Sequence, residues 1–488
     1  VRGRAPGRRT PGGYMETLHG MGVRLGAAVA VLAASAAAGQ TTNDPFPDPI
    51  PRTDGVITVG VVEFAALPFL EDQAPRMMRL VDEPGTGRLF VSDMWGLVYT
   101  VSYDGEAVTR YLDLREPRWG LDVEASRRER GFQSFAVHPQ FGRPGTPGFG
   151  KLYTCTDSSN TGPAADFEPD GGSDAQDTIL LEWTAADPTA AVYDGGPPRE
   201  LLRVEQPFRN HNGGQVAFKP LAEPGDPDFG LLYVGSADGG SGGDPLDLSQ
   251  NLGSILGKVL RIDPLGTNST NGQYGVPADN PFASDGDPAT LGEIYAYGVR
   301  NPQRFAWDER NGNLFLADIG QNIVEEISLV PRGGNLGWND WEGSFRWISR
   351  RAVSLVDPRG EAGLSYPVVE YGQLDPLFQP SSMATGLVVY RDDVVPQLEN
   401  LVLFGDGPSG EVFYFSADDL PAGGQDAMRR VLFDHGGETK TLLQMIREKN
   451  VSQGRTPATR ADVRVDSGPG GQLFLLNKHD GVIRRVVP

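Results

Sequence analysis

The chain has 488 residues, enough for a large core, and 39% of them are hydrophobic. Its 43 basic and 64 acidic residues give a formal net charge of −21, which argues against nucleic acid or anionic membrane surfaces as partners. The 64 glycines and 39 prolines, beside that apolar fraction, are typical of many short strands joined by turns. We therefore expect a soluble all-β protein with small neutral or cationic ligands.

The N-terminal region has the pattern of an export signal. Met21–Gln40 holds a basic residue, Arg24, then an apolar run and a stretch of small residues. This pattern predicts a signal peptide cleaved near Ala38, and the apolar run is too short to span a bilayer comfortably. We expect residues 1–40 to be an upstream extension and signal peptide, 41–58 a linker, and 59–488 one catalytic domain. The mature protein is then periplasmic or secreted, with no membrane span.

The single cysteine, Cys155, excludes an intrachain disulfide. It lies in a strand-like run, and we expect a buried core thiol.

One phrase returns along the chain: Gly-x-Leu, an aromatic or aliphatic pair, and a polar turn. Its six copies, two of them looser, are GRLFVSD from Gly87, GKLYTCTD from Gly150, GLLYVGSAD from Gly230, GNLFLADIG from Gly312, NLVLFGDG from Asn400 and GQLFLLNKHDG from Gly471. The intervals leave room for four short strands each, and no segment carries a sustained helical period. Because one such strand cannot bury both faces alone, stacking into a ring is expected. The sequence predicts a six-bladed β-propeller, with a pair of β-sandwiches as the alternative.

The stretch from Arg209 to Gly240 holds His211 on a turn before one strand and Asp238 after the next. Such a unit can fix an imidazole at one strand end and aim a carboxylate at it. We expect the two side chains to lie within hydrogen-bond reach, directly or through one water. A histidine that only stabilises its turn is the alternative.

Further motifs occur in a fixed order along the chain. They are ERGFQSFAVHP from Glu129, HNGG at His211, LGKVLRIDP from Leu256, YAYGVRNPQ from Tyr295, DIGQN from Asp318, EEI from Glu325 and GGNLGW from Gly333. Together they resemble the soluble PQQ-dependent sugar dehydrogenases, the glucose/sorbosone dehydrogenase family that includes the aldose sugar dehydrogenases. The resemblance runs from about Ala66 to the C-terminus, and it implies a six-bladed propeller.

The resemblance implies roles for the catalytic and cofactor-binding side chains. His211 matches the family's catalytic base and Asp238 the carboxylate that orients it. Arg300 matches the arginine at the quinone oxygens of PQQ. Three further matches to cofactor-binding residues are Asn301, Gln303 and Arg460.

The resemblance also implies a substrate residue and two calcium sites. Glu129 matches a position near the substrate. Gly320 and Gln321 match the residues whose carbonyls hold the calcium beneath PQQ. Glu326 and the Leu336 carbonyl match part of a second, structural calcium site.

These residue types suit the oxidation of a sugar. PQQ is an ortho-quinone that accepts a hydride from the anomeric carbon, while a neutral imidazole takes the hydroxyl proton. An arginine and a cation at the quinone oxygens stabilise the charge that develops there. The resemblance thus implies an exported aldose dehydrogenase with PQQ and Ca²⁺ as cofactors and an electron acceptor of unknown identity.

Three positions depart from the pattern of the glucose enzymes. The turn at 405–410 lacks their lysine, which pairs with a cofactor carboxylate; Asn210 replaces an aspartate, and Gln321 replaces a proline. The lost lysine favours one alternative, a non-enzymatic ligand-binding propeller of the same family, as in the Hedgehog-interacting proteins. A second alternative is a calcium-dependent lactonase-type hydrolase, which needs acidic and amide side chains around the metal.

Overall fold

Each copy of the repeated phrase forms the second strand of an antiparallel unit. The computed structural model describes residues 40–124, 129–173, 176–378 and 381–488, so the predicted signal peptide and its cleavage near Ala38 lie outside the described residues. The six second strands are β4 (Arg88–Asp93), β8 (Lys151–Ser158), β12 (Leu232–Ser236), β16 (Leu314–Asp318), β23 (Leu401–Asp406) and β28 (Leu473–Leu476). The apolar run of the phrase supplies the strand, and its polar end supplies the turn that follows.

Four units are separate four-stranded sheets. The first adds β3 (Met77–Glu83), β5 (Leu97–Ser102) and β6 (Val108–Asp113), and the second adds β7 (Phe132–Val137), β9 (Gln176–Thr184) and β10 (Arg199–Gln206). The third adds β11 (Val216–Phe218), β13 (Lys258–Ile262) and β14 (Ile294–Tyr297), and the fourth adds β15 (Pro302–Trp307), β17 (Val324–Leu329) and β21 (Val369–Gly372).

The remaining two units share one nine-stranded sheet, because the early strand β2 (Ile57–Ala66) lies between them. One unit has β22 (Ala384–Tyr390), β24 (Val412–Ser416), β25 (Arg429–His435) and the short β26 (Glu438–Lys440); the other has β27 (Arg464–Ser467) and β29 (Val482–Val487). β2 pairs parallel with β25 and antiparallel with β29, where Gly60 lies opposite Val487. The predicted domain start at residue 59 falls within β2.

The core lies between neighbouring sheets. All six residues of β7 are buried, and one apolar cluster joins side chains of the first and second units, among them Phe90, Tyr111, Phe135 and Trp183. A sheet covered on both faces reads as a near-continuous apolar run, which explains the repeated phrase. The predicted buried thiol at Cys155 is confirmed.

The first strands of successive units contact one another around a closed circuit. β3 contacts β7, β7 contacts β11, β15 contacts β22, β22 contacts β27, and β27 contacts β3; the step from the third unit to the fourth runs through β12 and β15. The first two strands of each unit are antiparallel. The start of the first strand and the last residue of the second therefore lie on the same side of this circuit.

Three features stand outside this pattern. β18 (Trp341–Glu342), β19 (Phe345–Ser349) and β20 (Ala352–Ser354) form an insertion between β17 and β21, and a two-residue strand, β1, spans Thr41–Thr42. Short 3-10 helices lie at Pro117–Trp119, Pro396–Leu398 and Pro469–Gly471.

One α-helix, α1, occurs among the described residues, at Leu442–Ser452. The sequence analysis did not predict it, because the helix spans too few turns to establish a sustained period. Thr441 and Gln444 form a capping box at its start, and Leu442, Leu443, Met445 and Ile446 pack into the core. Tertiary packing and the cap stabilise the helix. Within the described ranges, no helix is long and apolar enough to cross a membrane.

Candidate active site

A cavity of about 740 Å³ opens where the first strands begin and the second strands end. Turns from all six units line it. Eight predicted site residues are among its lining: Glu129, His211, Arg300, Asn301, Gln303, Gly320, Gln321 and Arg460. Residues spread over more than three hundred positions of the chain are thus brought to one surface.

The HNGG motif sets the imidazole at the start of β11. His211 has a φ of 58° and Gly213 one of 102°, both in the left-handed region. A Cβ at Gly214 would overlap the carbonyl oxygen of Pro302 on the neighbouring unit, so only glycine allows this approach. Left-handed backbone at a non-glycine residue is costly, and such conformations concentrate at functional sites.

His211 and Asp238 form the expected hydrogen bond, with 2.5 Å between His211 Nδ1 and Asp238 Oδ1. The carboxylate is buried behind the ring, where Trp338 Nε1 donates to Oδ2 (3.0 Å) and the Gly240 N–H donates to Oδ1 (2.9 Å). Burial alone would raise the pKa of Asp238, but His211, these donors and Arg300 outweigh it and hold the pKa below its ordinary value. Asp238 is therefore ionised, and it orients the ring with Nδ1–H toward the carboxylate and Nε2 toward the cavity.

Arg300 lies directly beside that free ring nitrogen. Its Nη2 is 3.0 Å from His211 Nε2, and its Nη1 donates to the carbonyl oxygens of Ile319 and Gly320, each at 2.7 Å. Asp318 holds the backbone below it by accepting the N–H groups of Arg300 (2.8 Å) and Asn301 (2.6 Å). Burial raises the pKa of Asp318 to about 6.

The turn predicted to hold calcium is shaped by Glu342. One oxygen of this buried carboxylate accepts the N–H groups of residues 321–324, at 2.8 to 3.1 Å. A Cβ at Gly320 would overlap the carbonyl oxygen of Val324, so the turn also requires glycine. The fit to calcium is incomplete, because the Gly320 carbonyl already accepts from a cation, Arg300, and calcium there requires the guanidinium to withdraw.

Glu326 and Leu336 do not line the cavity. A carboxylate oxygen of Glu326 accepts the N–H of Gly343 at 2.7 Å, and burial raises its pKa well above the ordinary value. The Leu336 side chain packs in an apolar cluster. Among the described residues, no group of three acidic, histidine or cysteine side chains has the arrangement of a metal site.

Glu129 lies at the exposed edge of the cavity. Its carboxylate accepts the backbone N–H of His211 at 2.8 Å, so it supports the turn that carries the imidazole. Gln303 donates to the Asn301 side chain at 3.2 Å, and Arg460 Nε donates to Asp462 at 2.8 Å.

Comparisons with known proteins identify the family of the chain. The family model described as Glucose / Sorbosone dehydrogenase matches residues 73–485. The chain belongs to the glucose/sorbosone dehydrogenase family. Its all-β architecture is that of the family's β-propellers.

Curated relatives cover enzymes and other proteins. HIPL1 protein of Arabidopsis thaliana is 29% identical over 365 residues, 67% of this chain and 50% of that protein. Aldose sugar dehydrogenase YliI of Escherichia coli is 27% identical over 285 residues, 57% and 60% of the two chains. Human Hedgehog-interacting protein is 29% identical over 229 residues, 46% and 29% of the two. The chain spans about half the length of HIPL1.

Among solved structures, the PQQ-bound aldose sugar dehydrogenase from Streptomyces coelicolor superposes with a TM-score of 0.54 at 20% identity. The match covers 88% of this chain and 98% of that one. At this identity the likeness concerns the fold.

The residues of this member of the glucose/sorbosone dehydrogenase family fit an anionic quinone with several carboxylates. Six cationic side chains line the cavity against three acidic ones: Arg76, Arg300, Arg455, Arg460, Arg464 and Lys478 against Asp72, Glu129 and Asp462. The Asn212 side chain, 2% exposed on the cavity wall, has no hydrogen-bond partner on either polar atom. Arg300 Nε is likewise buried without a partner. Buried polar atoms without a hydrogen-bond partner are rare unless a ligand supplies the partner.

The sequence analysis missed several of these residues. Asn212 lies inside the HNGG motif, so its place beside the base was a usable signal. Lys478 lies inside the sixth repeated phrase, directly after Asn477, which stands where three other copies carry an aspartate. The positions of Arg76 and Arg464 on the cavity wall depend on how units from opposite ends of the chain meet, which no local pattern carries.

Proposed function

We propose that the protein is an exported oxidoreductase that oxidises an aldose at its anomeric carbon, with PQQ as the hydride acceptor. One observation carries the proposal: the buried His211–Asp238 pair presents Nε2 to a cation-lined cavity, 3.0 Å from Arg300 Nη2. Family membership supports the class of reaction. Export rests on the pattern of Met21–Gln40.

The proposed scaffold is a six-bladed propeller. The nine-stranded sheet divides into two blades at the parallel β2–β25 pairing, which with the four separate sheets makes six units. The closed circuit of first strands supports this count. The cavity then lies at one mouth of the central channel, where loops of every blade converge.

His211 acts as the general base in this proposal. Because its Nδ1–H is committed to Asp238, Nε2 has a lone pair for the proton of the sugar's anomeric hydroxyl. The substrate hydroxyl takes the place of the Arg300 contact on Nε2. When the proton has moved, the imidazolium lies 2.5 Å from an ionised carboxylate that stabilises its charge.

Arg300 would bind the reducible oxygens of the cofactor and donate hydrogen bonds there as negative charge develops. The Asp318-held backbone and the Ile319 carbonyl fix its position, and its contact with the Gly320 carbonyl is the one given up when calcium binds there. PQQ supplies an ortho-quinone that takes up the two electrons and the hydrogen of the anomeric C–H bond as a hydride. Asn301, Gln303 and Arg460 would hold other polar atoms of the cofactor, and Glu129 would contact the sugar at the cavity edge.

Calcium at Gly320 and Gln321 belongs to the same proposal, with a structural ion at Glu326 and the Leu336 carbonyl. Ions bound only by the folded state stabilise it by mass action, so calcium should raise the melting temperature and chelation should lower it. Identical melting curves in calcium and in chelator would remove both calcium sites from the proposal.

A non-enzymatic ligand-binding propeller is the second candidate. The identity to Hedgehog-interacting protein and the absent lysine in the turn at 405–410 favour it. A binding propeller needs no ionised carboxylate behind a histidine, so the Asp238 arrangement favours the enzyme.

The deciding experiment is reconstitution of the purified protein with PQQ, with and without calcium, followed by dye reduction over a panel of aldoses. We expect PQQ-dependent reduction with at least one aldose. If no aldose supports reduction and PQQ absorbance does not change, the enzyme proposal fails and the binding propeller replaces it.

A further inference from the structure

Positive charge is concentrated at the part of the cavity formed by the sixth unit and the start of the first. Arg76, Arg460, Arg464 and Lys478 all line it there, on a chain whose net charge is −21. Asp462 is the acid among them. A cavity that gathers cations on an acidic protein focuses its field on an anionic ligand.

Asp462 is already saturated by two other groups. One of its oxygens accepts from Arg460 Nε at 2.8 Å, and the other lies 2.8 Å from His479 Nε2. Burial would raise the pKa of Asp462, but His479 and the surrounding cations outweigh it and lower the pKa strongly. With one carboxylate among four cations, this part of the cavity keeps a net positive charge.

Lys478 is the cation left without an acid. Its Nζ lies 3.6 Å from the thioether sulfur of Met94, and no carboxylate of the described residues forms an ion pair with it. Burial and the neighbouring arginines lower its pKa well below the ordinary value, against the opposing charge of Asp462. An ammonium group held in this way gains stability from an anion that enters the cavity.

The backbone around Lys478 is fixed. The Asn477 side chain accepts the N–H groups of His479 (2.8 Å) and Asp480 (3.1 Å), and the Asn477 carbonyl accepts the N–H of Met77 (3.2 Å). The lysine is thus presented from a rigid turn, which limits the entropy lost when it binds.

The turn that lacks the family's lysine touches the same cluster. The N–H of Asp462 donates to the Gly407 carbonyl at 2.7 Å, and the N–H of Ala461 donates to the Pro408 carbonyl at 3.1 Å. Asp462 in turn contacts His479, the residue next to Lys478. Two hydrogen bonds, through Asp462, thus link the turn that has no lysine to the residue next to Lys478.

We propose that Lys478 is the anchor for a carboxylate of the bound cofactor, in place of the lysine absent from residues 405–410. This inference rests on the proposed function, because it takes PQQ as the anion. The carboxylate would lie against Lys478 with Arg76 and Arg464 as neighbours.

The test is direct titration of the apoprotein with PQQ, followed by calorimetry or quenching of tryptophan fluorescence, without sugar or dye. Lys478→Met should weaken PQQ binding by about 10- to 150-fold, the usual range for a lost hydrogen bond to a charged group. Lys478→Arg, which keeps the charge, should retain most of the affinity. Lys219→Met is the matched control, because Lys219 is paired with Asp228 outside the cavity. The PQQ affinity of this variant should equal that of wild type.

Melting curves separate a ligand anchor from a structural lysine. Lys478→Met should leave the apoprotein at least as stable as wild type, since it removes a half-buried charge that has no ion-pair partner, while the increase in melting temperature on adding PQQ should shrink. Should Lys478→Met fail to fold, Lys478→Gln takes its place.

The outcomes distinguish the two proposals. If wild type and Lys478→Met bind PQQ equally, the anchor is wrong and the proposed function stands. If wild type does not bind PQQ at all, both fail. A variant that loses apoprotein stability and keeps the full PQQ-induced stabilisation would assign Lys478 a structural role and overturn the inference.

Discussion

At the scale of single residues, the site depends on which ring nitrogen of His211 faces the cavity. Asp238 fixes that choice, and Trp338 fixes Asp238 through its indole N–H. Arg300 then contacts the same ring from the cavity side. The base His211, the orienting acid Asp238 and the cation Arg300 are thus linked through one imidazole ring. Replacement of His211 and replacement of Arg300 should therefore disturb different parts of the same reaction.

We predict that His211→Ala lowers sugar oxidation by about 100- to 10,000-fold, the range for loss of a general base, while PQQ still binds. Arg300→Ala should weaken both turnover and PQQ binding, because its guanidinium would contact the cofactor. Steady-state kinetics with saturating PQQ, paired with titration of the cofactor, measures the contrast. An active wild type whose His211→Ala variant keeps most of its activity would move the role of base to another residue, with Glu129 as the next candidate.

At the scale of elements, an acid at the end of the second strand holds the start of the first strand in several units. Asp93, Asp318 and Asp406 each accept the N–H of the residue just before their own first strand, namely Arg76, Asn301 and Met383. In the third unit the acid is Asp238, and its carboxylate contacts His211 instead. The same sequence phrase thus provides structural acids in three units and a candidate functional one in another.

Gly214 of the HNGG motif also fixes a contact between two parts of the fold, because it lies close to the Pro302 carbonyl oxygen. We predict that Gly214→Ala lowers the melting temperature and the activity together, because its Cβ would overlap the Pro302 carbonyl oxygen of the next unit. Gly196→Ala is the control, since nothing lies within 4 Å of the Cβ it would add. Thermal melting of both variants tests the argument, and equal stability would show that the turn relaxes without cost.

The sequence predicted well what repeats locally. The six Gly-x-Leu phrases each form a second strand, and eight of the residues given by the family resemblance line one cavity, with Asp238 buried behind His211. Glu326 and Leu336 lie elsewhere, and α1 was too short to be recognised by its period. Lys478 could not be found from the resemblance, because the family pattern has its lysine on the turn at 405–410. The position of Lys478 relative to that turn depends on packing between units.

At the scale of the whole molecule, buried acids make stability depend on pH. Burial raises the pKa values of Asp93, Asp157, Asp318 and Asp406 from 3.8 to about 6. Between these values the folded chain holds protons that the unfolded chain has released. The resulting stability is fully present below the unfolded pKa and is lost as pH rises through about 6. His138, whose pKa burial lowers from 6.5 to about 4, acts in the opposite direction.

We therefore predict a higher melting temperature at about pH 5 than at about pH 7, since four acids outweigh one histidine and the magnitude of the net charge of −21 also decreases on acidification. Asp157→Asn should reduce this difference, because it removes one of the four acids. Calorimetry of wild type and variant at both pH values measures it. A wild type that is more stable at the higher pH would contradict the assignment of these groups.

The closing strand gives a second test at this scale. A chain that begins at Leu67 lacks β2 and loses the burial of Val59 and Val61, each worth about 1.5 to 3 kcal/mol. It also leaves the edges of β25 and β29 unpaired. We predict a lower melting temperature and self-association by size-exclusion chromatography, while a chain that begins at Thr41 behaves as the full one does. Equal melting of the two would show that β2 is dispensable.

The pairing of β2 with β29 also constrains when the protein can reach its native state during synthesis. Gly60 is made more than four hundred residues before its partner Val487. The earlier units can form one after another as they are synthesised, but the circuit stays open until β29 has been made, with the edge of β2 exposed throughout. Contacts between such distant residues form slowly. A polypeptide with this topology depends on protection of that edge until β29 is available to cover it.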